Sequence, residues 1–303
     1  MMSKMKMACV LFLTTALFAN DDEIASGERI RGVIDPGVSL LQFDASAVTG
    51  SRFLRGVEFA LDHFWVTAAG MQGDVSEPNY LFKIDRNGQL VDTFIQPTTS
   101  DNGWRDLAFD GTFLYGSDSD HIDQIDPTTG ATTGVTIPTP LTVARGIAYS
   151  RSSDHFWVVD FGSTVYELNR SGAVQNSFNT AHTTYGLAWD PFTKGGPYLW
   201  TWNQDGRNEG FRLDPLTGND TGFQFQGITP GIAGGASLSI ELIPGSIVLV
   251  ALEQDGNQDT VTAYDLSAGG NFVPTMSKYG MIALILLLLI GAMVVLRREK
   301  TFS

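Results

Sequence analysis

Short apolar and aromatic runs alternate with polar turns along this chain, and the alternation itself repeats. One phrase recurs as Arg55-Gly56-Val57-Glu58-Phe59, Arg105-Asp106-Leu107-Ala108-Phe109, Arg145-Gly146-Ile147-Ala148-Tyr149 and Tyr185-Gly186-Leu187-Ala188-Trp189. A weaker fifth copy is Gly235-Ala236-Ser237-Leu238-Ser239. With residues 56, 106, 146, 186 and 235 taken as equivalent, the spacings are 50, 40, 40 and 49. An aromatic or β-branched run follows each phrase, at 63–66, 113–115, 155–159, 198–202 and 247–250. Such runs favour strands, because branched and aromatic side chains pack well on a pleated surface. A third element ends in an acidic or Asn turn, as in Asp126-Pro127-Thr128-Thr129-Gly130 and Asp214-Pro215-Leu216-Thr217-Gly218. There the Asp side chain accepts from the turn backbone, Pro presets φ, and Gly takes the positive φ at the exit. A fourth strand follows in the first four repeats, for example over 90–95 and 173–178.

Four strands repeated in this way predict an all-β fold, a β-propeller of about five four-stranded blades over 51–267. The fifth repeat stops after its third strand, near Ser267, which would leave an edge of unpaired backbone. Val38–Asp44 reads as a strand and is predicted to supply the missing outer strand and close the ring. A sixth blade would need residues 24–50 to form more than one paired strand, and a flat sandwich is the alternative fold. The repeat grammar resembles that of NHL-like and lactonase-like bacterial propellers over roughly 52–267, a resemblance that implies fold rather than activity.

The two ends read differently. Lys4 and Lys6 precede an apolar stretch, Met7–Ala19, which predicts a signal peptide over 1–19. An uncleaved N-terminal anchor is the alternative. Residues 20–50 then form a lead containing the ring-closing strand, and 268–272 form a short linker. Beyond it stand Val273, Pro274, Thr275, Met276, Ser277, Lys278, Tyr279 and Gly280, then the uncharged run Met281–Leu296, then Arg297 and Arg298. The run is apolar on every face. At about 1.5 Å per residue it spans roughly 24 Å, a little short of a hydrocarbon core of about 30 Å. It predicts a transmembrane helix with 299–303 in the cytoplasm, as the positive-inside rule requires. Residues 273–298 resemble the IPTL-CTERM sorting domain of Gram-negative bacteria, a tail of the PEP-CTERM type. Pro274, Thr275, Ser277 and Gly280 match its pattern, and Val273, Met276 and Tyr279 are conservative departures. The resemblance implies an exosortase-like sorting enzyme as partner, anchoring in the inner membrane with the propeller outside the cytoplasm, and release to the cell surface on processing.

Composition sharpens this. The single cysteine, Cys9, lies in the predicted signal, so the exported part would have no thiol to mispair in an oxidising compartment. The chain has 19 basic and 33 acidic side chains. Without Lys4, Lys6, Lys278, Arg297, Arg298, Lys300 and Glu299, residues 20–272 keep 13 basic and 32 acidic ones, a net charge of −19. That sign argues against nucleic acid as a partner. It suits a solvated secreted surface, or divalent-cation binding.

No Gly-x-Ser-x-Gly elbow, His-Glu-x-x-His or phosphate loop occurs. His63 and His155 fall at equivalent turns and read as structural, and His121 and His182 are scattered. Lactonase-like propellers imply a channel metal held by carboxylates and Asn side chains. Their Glu-Gly-Pro opening is missing, and Glu58 is a poor substitute for it. A metal-dependent hydrolase or lactonase is therefore the alternative to a non-enzymatic module. The loops between second and third strands collect the candidate Ca²⁺ ligands Asp118, Asp120, Asp205, Glu209, Asp255, Asn257 and Asp259. Oxygen-rich loops with a Gly turn suit that ion, although none has the twelve-residue calcium-loop spacing. Trp104, Phe161 and Trp202 lie near these loops as a candidate ligand rim. The sequence thus predicts an exported, C-terminally sorted surface binding or adhesion module for a protein or polysaccharide, with a structural scaffold as a further alternative.

Overall fold

Each repeat folds into a four-stranded antiparallel sheet, in a computed structural model that describes residues 37–70, 77–98, 100–162, 164–205, 208–256 and 258–267. The expected signal peptide, sorting motif and transmembrane helix lie outside the described residues. Among the described residues no helix is long and apolar enough to cross a membrane.

The chain opens with β1 (Val38–Asp44) and a short helix α1 (Ala45–Thr49). Blade one is β2 (Leu54–Ala60), β3 (His63–Ala68), β4 (Tyr80–Asp85) and β5 (Leu90–Ile95). Blade two is β6 (Leu107–Phe109), β7 (Leu114–Asp118), β8 (His121–Ile125) and β9 (Thr132–Pro138). Blade three is β10 (Gly146–Ser150), β11 (His155–Val159), β12 (Thr164–Leu168) and β13 (Val174–Asn179). Blade four is β14 (Thr184–Asp190), β15 (Tyr198–Asn203), β16 (Glu209–Leu213) and β17 (Asp220–Gln226). Blade five has β18 (Ile232–Ser239), β19 (Val248–Gln254) and β20 (Thr260–Asp265), and takes β1 as its outer strand.

The ring closes as the sequence predicts. β1 runs antiparallel to β20, from Val38 opposite Asp265 to Asp44 opposite Thr260, and the inner strands β18 and β2 are neighbours. The α1 helix was not foreseen. Asp44 caps it by accepting from the Ala47 amide at 2.8 Å, and Gly50 ends it with φ of 76°.

Second strands are buried on both faces because each blade is sandwiched between two others. Phe64, Trp65, Phe156, Trp157 and Leu199 are examples, and Trp157 stacks on Trp189 of the next blade at 5.8 Å between ring centres. Outer strands such as β5 are largely exposed. The hairpin turns between third and fourth strands link the blades by one recurring contact. Gly88 sits on Phe43, Gly130 on Phe94, Gly172 on Pro138 and Gly218 on Phe178, each partner lying in the outer strand of the preceding blade. All four glycines have φ between 68° and 80°, and a Cβ would enter that partner or press on it. Blade five lacks this hairpin, and Gly37 at the start of β1 packs against Phe225 in its place.

Candidate functional site

The bore of the ring is built by the recurring phrase. Its equivalent positions are Gly56, Asp106, Gly146, Gly186 and Gly235, and there the inner strands approach to backbone contact. A Cβ on Gly56 would lie 2.7 Å from the Asp106 Cα, one on Gly186 2.6 Å from the Ala236 nitrogen, and one on Gly235 2.7 Å from the Gly56 Cα. Asp106 is the single side chain at this level, and its carboxylate plugs the bore. Its Oδ1 accepts from the Leu107 amide at 3.0 Å, and its Oδ2 from the amides of Ile147 and Leu187 at 3.2 and 3.3 Å. One carboxylate thereby ties three blades together. Burial raises its pKa well above the usual range against the pull of these amides, and the charge of Glu58 adds to the rise.

On one side of the plug the bore widens into a funnel of about 570 Å³, lined by Phe59, Phe109, Ile147, Tyr149 and Trp189 with Glu58 among them. Glu58 is 8% exposed, and desolvation lifts its pKa despite hydrogen bonding from the Phe59 amide and the Ser237 hydroxyl.

On the other side stand the residues that precede the ring positions: Arg55, Arg105, Arg145, Tyr185 and Gly234. Since the ring positions touch, their predecessors crowd the axis at its opening. Burial and then the like charge of Arg105 lower the Arg145 pKa; Tyr185 acts the other way and Arg55 adds to the fall. Arg145 is ion-paired with Asp160, and its guanidinium lies 3.8 Å from the centre of the Phe161 ring. The Nε atoms of Arg55 and Arg105 and the hydroxyl of Tyr185 are buried without a hydrogen-bond partner among the described residues.

The loops between second and third strands open on this arginine face, so the acidic residues singled out from sequence surround it, but they do not assemble as one cation site. Among the described residues, the one group of three whose potential ligand atoms lie within 4.8 Å of one another is Asp118, His121 and Asp123. Asp120 is exposed and turned to the His121 Nδ1 at 3.0 Å. Burial opposes protonation of His121. The hydrogen bond to Asp120 and the charges of Asp123 and Asp118 outweigh it and raise the pKa. Asp205 accepts from the Thr183 amide at 3.0 Å, and Asp255 from the Gln258 amide. Glu209 begins β16 opposite Asn203, and Asn257 lies outside the described residues. Asp259 is a structural clamp. Its Oδ2 accepts from the Leu54 amide at 2.9 Å, and its carbonyl accepts from Ala45 and Ser46, which fastens α1 and blade one to blade five.

The aromatic rim needs correction. Trp104 and Trp202 are fully buried, each with its indole nitrogen satisfied internally: Trp104 donates to Asp123 at 2.9 Å and Trp202 to the Leu252 carbonyl at 3.0 Å. Gly116 leaves the space that Trp104 fills, and Trp202 joins Phe225 and Tyr264 between blades four and five. Phe161 alone of the three is partly exposed. Of the equivalent histidines, His63 holds a turn and His155 pairs with the neighbouring strand. His63 Nδ1 lies 2.6 Å from the Leu61 carbonyl, and His155 Nδ1 2.9 Å from Glu167.

Sequence reasoning missed the arginine cluster and the Asp106 plug. Both were visible in the aligned phrase, one as a column of Arg, Arg, Arg and Tyr, the other as the single departure from Gly. No known family model and no curated protein matches the chain.

Proposed function

We propose that the chain is an exported binding module, sorted through its C-terminal tail, that engages an extracellular polysaccharide with the arginine face of its ring. The observation that carries this reading is Phe161, partly exposed against Arg145 in the loop between β11 and β12. An aromatic ring beside fixed charged donors suits a sugar, whose faces stack on rings while its hydroxyls take hydrogen bonds.

Chain direction supports the orientation. Val38 pairs with Asp265, so the ring is entered and left at the funnel end, opposite the arginines. In the sequence only 268–272 separates the ring from the sorting motif. An anchored protein would turn its funnel towards the membrane and its arginine face outwards. An exosortase-like enzyme, implied by the tail's resemblance, would then act at the membrane side without obstructing the ligand.

Two measurements test this. The full chain in detergent micelles, applied to a glycan array, should retain a restricted set of glycans, and a uniformly blank array would remove the polysaccharide reading. Fractionation of cells expressing the chain with and without residues 276–303 should show the truncated form leaving the membrane fraction. An unchanged distribution would remove the sorting reading.

A further inference from the structure

We propose that Arg55, Arg105, Arg145 and Tyr185 form a seat for one tetrahedral oxyanion, a phosphate or sulfate group, at the arginine end of the bore. This deepens the binding-module reading and rests on it only for the biological role of the ligand.

Electrostatics favour an anion here. Residues 20–272 carry 13 basic side chains against 32 acidic ones, yet three of the 13 directly precede the ring positions whose backbones touch. Crowding like charges in a partly desolvated place is unfavourable unless an anion joins them. Burial lowers the Arg145 pKa, and the like charges of Arg105 and Arg55 lower it further.

Several donors of these residues are unmet. Tyr185 is 4% exposed with an unpartnered hydroxyl, and the Nε atoms of Arg55 and Arg105 are likewise buried and unpartnered among the described residues. Buried donors of this kind cost stability unless something accepts from them. An anion at the opening of the bore would lie beside the residues that carry these donors.

Charge and shape then select the class. Asp160 neutralises Arg145, whose plane is fixed against Phe161, and Asp259 is the carboxylate that feels Arg55. No ion pair to Arg105 is found among the described residues. A planar carboxylate is satisfied by one guanidinium fork. Guanidinium groups from three blades and a hydroxyl from a fourth instead match the several oxygens of a tetrahedral dianion. The glycine ring and the Asp106 plug close the bore immediately beneath, so the group would be held at the opening and not conducted through it.

The test is isothermal titration of the full chain in detergent micelles with inorganic phosphate, sulfate and acetate at matched ionic strength, alongside thermal melting in each. Phosphate or sulfate should bind once per chain and raise the melting temperature, whereas acetate should not; the stronger of the two names the preferred group. Arg105→Gln should weaken binding by about tenfold or more, and Tyr185→Phe by about threefold to tenfold, as expected for lost hydrogen bonds to a charged ligand. Arg151→Gln, exposed on the funnel side, should bind as the parent does. In anion-free buffer Arg105→Gln should melt no lower than the parent, because it relieves repulsion; a purely structural arginine would behave oppositely. Absence of binding by phosphate and sulfate, or equal binding by acetate, would overturn the proposal. Because the probe is inorganic, this result is independent of whether any polysaccharide is recognised.

Discussion

Replacing Asp259 by Asn isolates one buried carboxyl whose ionisation opposes folding. Asp259 is 1% exposed, and desolvation pushes its pKa up to about 7, against the pull of the Leu54 amide and the charge of Arg55. The same group in the unfolded chain titrates near about 3.9. Between these values the unfolded state has released its proton and the folded state has kept it. Folded-state stability therefore falls as pH rises through that window and levels off above about 7. Three units at about 1.4 kcal/mol each amount to roughly 4 kcal/mol. Asn keeps an acceptor for Leu54 and has no proton to lose, so the variant should match the parent near pH 4 and exceed it progressively towards pH 8. For a ring of this size that advantage corresponds to roughly 8–16 °C in melting temperature. Thermal melting of both proteins across pH 4–8 reads it directly. A difference that stays constant with pH, or that shifts in the parent's favour, would refute the assignment of Asp259 as a buried, proton-holding clamp.

Other perturbations address the ring itself. Asp106→Ala should cost about 2–4 kcal/mol by leaving the amides of Ile147 and Leu187 unpaired in the bore, and Asp106→Asn clearly less, by chemical denaturation. Gly235→Ala should be destabilising by at least about 2 kcal/mol, since its Cβ would meet the Gly56 backbone and the Asp106 carboxylate; a neutral result would mean the bore is wider than described. Phe43→Ala removes the ring that meets Phe64 at 5.2 Å and seats Gly88. It should cost about 2 kcal/mol and speed hydrogen exchange in β20 ahead of β7, and uniform exchange would argue against β1 as the closing strand.

Much of the architecture was legible because a propeller is locally written. Each blade carries its own strands and turns, so the repeat spacing revealed five units, and the truncated fifth unit pointed to Val38–Asp44 as its missing strand. The α1 helix escaped because its five residues carry no periodic pattern and depend on the Asp44 cap and on Asp259 from the far end of the chain. Site residues were less legible because exposure is a property of the closed ring. Trp104 and Trp202 resemble rim aromatics in the sequence, and only the packing of neighbouring blades buries them. Asp259 looked like a loop ligand until α1 and β2 were folded against it. The arginine column was present in the phrase, but its convergence depends on glycines that let five strands meet.

The most direct measurement of the central claim is anomalous diffraction from crystals of the full chain soaked in selenate, a tetrahedral dianion with a strong anomalous signal. The account predicts one selenium peak at the opening of the bore, within hydrogen-bonding reach of Arg55, Arg105, Arg145 and Tyr185, and its loss in Arg105→Gln crystals. An empty opening beside well-ordered arginines, or a peak only elsewhere on the ring, would contradict it.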